Sequence, residues 1–229
     1  MMEMAPAAFA GFKPEQMMEM APAAFAGFKP EQMLEMPPAV FAAFDADQMA
    51  EMAPLAFAGM DADQMKEMAS EAFAGFKPEG LAAIDPEVIA SFTEEQFNEL
   101  AAEAFAGFMG DQIEKLDEEL ITEIGTEEFE EMTAEGVEGF KYKTLDLLEE
   151  EVFENIDADQ FGGLKVNALK GLDDEKLEAI NDEAYAGVQG DQVKGLGADF
   201  INDLSEDALD ALGEGEDAFR GIGKVLDKL

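Results

Sequence analysis

Aspartates spaced two apart, Asp45 with Asp47, Asp61 with Asp63 and Asp157 with Asp159, come nearest in this chain to residues placed for chemistry. Hard carboxylate oxygens at alternate positions suit Ca²⁺. These six residues are therefore the candidate metal ligands, and Ca²⁺ is the one candidate cofactor. The full calcium loop is missing, because no stretch has Asp at one, three and five, Gly at six and Glu at twelve. The glycine-rich nonapeptide of β-roll proteins is missing too. The favoured reading gives the first Asp of each pair to a helix cap and the second to the first helical turn. Diffuse binding of divalent cations by an acidic surface is the milder alternative. Nucleophilic catalysis has little material: there is no Cys or His, and Ser occurs only at Ser70, Ser91 and Ser205. Paired carboxylates recur so regularly that they single out no acid–base pair, so no enzymatic activity is expected.

These aspartates belong to a repeat of eight residues. FAGFKPEQ at 9–16 returns unchanged at 25–32, and 27 octads can be written from Met1 before the register fails. Position one runs Met1, Phe9, Met17, Phe25 to Leu209, and position four runs Met4, Phe12, Met20, Phe28 to Leu212. All 54 of these places are apolar, so one structural unit is stacked many times.

Eight of the nine prolines occupy position six, and acids crowd position seven. Both suit the first turn of a helix, where a missing N–H costs nothing and negative charge complements the dipole. Position five is then the N-cap, filled by Asp45, Asp61, Asp85, Asp117, Asp157, Asp173, Thr93, Thr133 and Ser205. DADQ and TEEQ add Gln three residues after the cap, as in a capping box. A continuous helix is disfavoured, because a period of eight rotates the apolar stripe by roughly 80° per octad. The helix must restart in each octad. Gly at position three, as in Gly11, Gly27, Gly59, Gly75 and Gly107, loosens the exit and permits close packing.

Position eight alternates Ala, Val or Leu with Gln, so the unit is a 16-residue pair. The Ala octad is expected to pack more deeply, with the Gln octad bordering the rim. The predicted fold is an all-α solenoid of very short helices over residues 1–212, with a C-terminal capping helix over 213–229. The competing β-solenoid fits poorly with a composition of Ala, Glu, Gln, Met and Lys. Position two of the N-terminal octads is also small or apolar (Met2, Ala10, Met18, Ala26, Leu34, Ala42). It is read as core packing by Ala and adaptable Met rather than as a partner surface.

The chain carries 54 acidic and 14 basic residues, a formal charge of −40. Nucleic acid and anionic membrane surfaces would be repelled, whereas divalent cations and basic proteins remain suitable partners. Residues 1–80 hold 13 acids and 4 lysines, net −9, leaving −31 for the remainder. No apolar run reaches the ~20 residues of a membrane-spanning helix, so no membrane insertion is expected. No polar capping segment precedes Met1, and an uncapped solenoid end exposes an apolar face. Self-association through Met1, Met4, Phe9 and Phe12 is therefore expected, unless further repeats lie upstream.

The octads FAGFKPEQ, FAAFDADQ and IASFTEEQ resemble the tandem repeats of large repetitive bacterial surface and secreted proteins, in which apolar-x-x-apolar is followed by Thr, Ser or Asp, any residue, Glu and Gln. The resemblance covers residues 1 to about 212. It implies a structural or adhesive role outside the cell and transfers no active residue. Two functions follow as expectations. One is a spacer or filament subunit joining end to end; the other is a binding module organised by calcium or engaging a basic protein.

Overall fold

The computed structural model describes residues 4–197, 200, 201 and 204–214. Helices of four to nine residues follow one another in tandem, and no strand occurs among the described residues. The eight prolines at position six each open a helix, from Pro6–Gly11 and Pro14–Met18 to Pro78–Ala82 and Pro86–Ile89. The predicted α-solenoid is thus the local architecture. The 16-residue alternation also has a structural form. Gln octads give α-helices such as Ala46–Glu51, whereas many Ala octads give 3₁₀ helices such as Pro22–Gly27 and Ser70–Gly75. Their tighter i→i+3 rings suit runs this short.

Contacts group the chain into two compact units, Met1–Glu123 and Ile124–Leu229. Within the first, Ala46–Glu51 packs on Pro22–Gly27 behind it and on Ser70–Gly75 ahead of it, three octads away in each direction. Within the second, Ala158–Gly163 lies in the same way between Ala134–Val137 and Asp182–Gly187. The C-terminal cap assigned to 213–229 lies, beyond the end of helix Glu206–Glu214, outside the described residues.

The core is the repeat itself. From Phe25 to Leu172 every residue at positions one and four is buried. Aromatic rings 19 residues apart interlock edge to face, as in Phe25 with Phe44 at 5.4 Å and Phe73 with Phe92 at 5.0 Å between centroids. Position two behaves otherwise than expected. Ala10, Ala26 and Ala42 are exposed, as are Met18 at 67% and Leu34 at 61%. One residue beyond position one is a turn of about 100° around the helix, which carries these side chains off the packed face and into solvent.

Position eight corrects the rim assignment more fully. Gln48, Gln64, Gln96, Gln112, Gln160 and Gln192 are only 1–3% exposed. The Gln64 Nε2 amide donates to the carbonyls of Met33 at 2.9 Å and Met36 at 2.8 Å, 31 and 28 residues earlier. Gln96 binds Met65 and Met68 in the same way, Gln112 binds Leu81 and Ile84, and in the second unit Gln160 binds Phe129 and Met132. Each of these Gln-bearing helices therefore rests on the third helix before it while its Gln reaches the exit of the fourth. In each unit a turn takes more than three helices and fewer than four.

The Gln64 Oε1 also accepts the Asp61 N–H at 3.0 Å, so one buried side chain serves three backbone groups. Stranding a buried polar group costs ~1–3 kcal/mol. Gln64→Ala is therefore expected to lower the unfolding free energy in a urea titration by roughly 2–5 kcal/mol. Gln16→Ala, at an exposed position, is expected to change it by less than ~0.5 kcal/mol; equal losses at the two sites would contradict this assignment.

Candidate functional site

The three aspartate pairs sit where the cap reading puts them. Asp45 Oδ1 accepts the Gln48 N–H at 2.8 Å, Asp61 Oδ1 accepts that of Gln64 at 2.9 Å, and Asp157 Oδ1 accepts that of Gln160 at 2.7 Å. Asp47, Asp63 and Asp159 lie in the first turns that follow. Each first Asp thus spends a carboxylate oxygen on its own helix, which draws that oxygen away from any shared ion. Asp157 and Asp159 do line a groove of about 550 Å³ beside Glu135 and Gly187. Among the described residues, however, no three acidic side chains converge as ligands to an ion.

All the other predicted cap side chains take up that role. Asp85, Thr93, Asp117, Thr133, Asp173 and Ser205 each accept an N–H of the following turn at 2.9–3.3 Å. Asn181 belongs with them, accepting the Ala184 N–H at 3.0 Å, and its residue type at position five was signal enough to find it. Where position five is Lys, the cap side chain is lost but the returning half persists, since Lys13 and Lys29 donate their N–H groups to Gln16 and Gln32.

Substitutions at position eight show what the ladder needs. Lys176 replaces the amide with an ammonium that donates to both the carbonyl and the carboxylate of Asp146, 30 residues earlier. Gly80 supplies no donor, and Met49 and Met52, whose carbonyls stand in the Gln-acceptor register, line a cavity of about 340 Å³ beside it. Glu128 and Thr144 accept the N–H groups of Gly125 and Lys141, the local half of the motif.

The self-association residues separate. Phe9 is fully buried, stacked on Phe12 at 4.9 Å and edge-on to Phe28 at 5.6 Å. It is a core residue of its own chain. Phe12 is half-buried and Met4 is 38% exposed, so these two face outward at the N-terminal edge, while Met1 lies outside the described residues. No helix of the described residues is long and apolar enough to cross a membrane. The chain matches no known protein family, and comparison with characterised proteins finds no relative.

One titratable group stands apart. Tyr185 occupies an apolar position one and lines a cavity of about 510 Å³ with Leu177, Phe200 and Leu204. Burial pushes its phenol up to about 12, and the negative charge of Asp182 adds to the shift. The unfolded phenol ionises near 10.0, so above that pH the unfolded state loses its proton first. Stability contributed by the neutral phenol is complete below pH 10 and declines until about 12. Thermal melts of Tyr185→Phe should therefore fall less between those two values than melts of the parent chain; parallel falls would show that this phenol does not govern the alkaline transition.

Proposed function

We propose that the chain is a non-enzymatic structural protein, a spacer or filament subunit that joins copies of itself end to end outside the cell. The observation that carries this reading is the construction of each unit. Its interior is built largely from one interface, helix on third-preceding helix, repeated along the unit and bridged by glutamine at Gln48, Gln64, Gln96, Gln112, Gln160 and Gln192. An interface that recurs by translation along the chain is of the head-to-tail kind, which does not close on itself and propagates when copied between molecules. The acidic flanks, part of a −40 chain, keep such a polymer soluble and suppress lateral clumping. The likeness of the octads to repeats of bacterial surface proteins supports the extracellular setting.

The three aspartate pairs serve this reading as caps. Calcium is the alternative organiser, acting on the acidic rows of a monomeric module. Negative-stain electron microscopy of the purified chain in EDTA and in millimolar Ca²⁺ separates the two. Uniform linear assemblies in both solutions are the expected result. Assemblies that form only with Ca²⁺ would replace this reading with the calcium-organised one, and single particles in both would contradict end-to-end joining.

A further inference from the structure

Between Gln48 and Gln112 the glutamine ladder of the first unit is interrupted once, at the buried Gly80. On either side of it, Gln64 donates to the carbonyls of Met33 and Met36, and Gln96 to those of Met65 and Met68, 31 and 28 residues earlier. The same two steps back from Gly80 lead to Met49 and Met52. Their backbone is set as at the bridged sites: Met52 closes its helix at φ −66°, ψ 137°, and Met68 closes its own at −67°, 134°. The local half of the motif is also preserved in shape. Lys77 caps its helix at φ −108°, ψ 158°, close to Lys29 at −120°, 155°. The Lys29 N–H donates to the Gln32 Oε1 at 3.0 Å, whereas Lys77 has a glycine three residues on and no such acceptor. One donor and two acceptors thus keep the arrangement that a primary amide joins elsewhere in the unit. They border a cavity of about 340 Å³ lined by Met49, Met52, Phe57 and Lys77, with exposed Glu51 on its rim.

We propose that this cavity binds a small molecule carrying a primary carboxamide on a short apolar stem. The carboxamide NH₂ donates to the Met49 and Met52 carbonyls, its oxygen accepts the Lys77 N–H, and the stem lies along the Phe57 ring. The class of ligand follows from the groups present. An ammonium has donors for the carbonyls but no acceptor for Lys77, and a carboxylate or a tertiary amide has an acceptor but no donor. A primary amide meets all three groups at once, and its stem gains from leaving water. The size suits such a ligand, since small-molecule pockets begin at roughly 300 Å³. A Cβ at Gly80 would stand 2.9 Å from the Phe57 Cε2, so the edge of that ring borders the site. Phe41 and Phe73 precede Gln64 and Gln96 by the same 23 residues, so a ring at this place is compatible with an amide beside it. The site lies wholly within the first unit and does not depend on end-to-end joining.

The test is an NMR titration of the isotope-labelled chain with propionamide, which is a glutamine side chain in free form. The Lys77 N–H signal should shift saturably, with a dissociation constant on the order of millimolar. The N–H signals of Asp61 and Thr93, already held by Gln64 and Gln96, should stay in place. N,N-dimethylpropionamide lacks the donors and propylammonium lacks the acceptor, so each should bind at least ~tenfold more weakly. Gly80→Gln supplies the amide from the chain itself and should abolish the Lys77 response while the spectrum remains that of a folded protein. The absence of a saturable shift at Lys77, binding of either analogue as tight as that of propionamide, or a response that survives in folded Gly80→Gln would each overturn the proposal. The comparison of the three ligands on the parent chain decides the matter even where Gly80→Gln fails to fold.

Discussion

A helix of five or six residues leaves most of its backbone N–H and C=O groups without an intrahelical partner, and a protein made only of such helices must satisfy them by other means. The glutamine at position eight does this three groups at a time. Its Oε1 takes the N–H at the start of its own helix, and its Nε2 supplies two carbonyls at the exit of a helix a turn earlier. Local capping and long-range packing are thereby carried by one side chain. Among the described residues no buried side-chain nitrogen or oxygen lacks a partner. Hydrophobic burial at positions one and four supplies the driving force, and the glutamine fixes where each turn sits on the one before.

This division of labour explains which parts of the fold were legible in the sequence. The octad, the restart of the helix at proline, and the caps at Asp45, Asp61, Thr93 and their equivalents depend on residues at most three apart, and sequence spacing reports such relations directly. The Oε1 half of the glutamine bond is equally local and was visible as a capping box. The Nε2 half was not, because it spans 28 and 31 residues, and nothing in an eight-residue period reveals how many helices complete a turn. A polar residue at that position then looks like a rim residue, although it is among the most buried side chains present. The position-two stripe misleads for a simpler reason: its apolar character is plain, but about 100° of helical rotation from position one turns it away from the packed face and into solvent.

The candidate sites divide along the same line. Asp45, Asp61 and Asp157 were singled out for calcium and as caps by the same spacing, and the carboxylate contacts in the structure are those of caps. At the N-terminal edge, the large residues Phe9 and Phe12 drew attention first, yet Phe9 belongs to the core of its own turn.

The most direct test of this account is hydrogen exchange at the glutamine side-chain amides, followed by NMR on the intact chain. Amides locked between turns exchange only when those turns open. The account predicts slow exchange at the Nε2 groups of Gln48, Gln64, Gln96, Gln112, Gln160 and Gln192, and rapid exchange at Gln16 under conditions in which the chain is monomeric. If all of these amides exchanged as quickly as that of Gln16, the bridge between turns would not exist in solution, and another interaction would have to set the stacking of the helices.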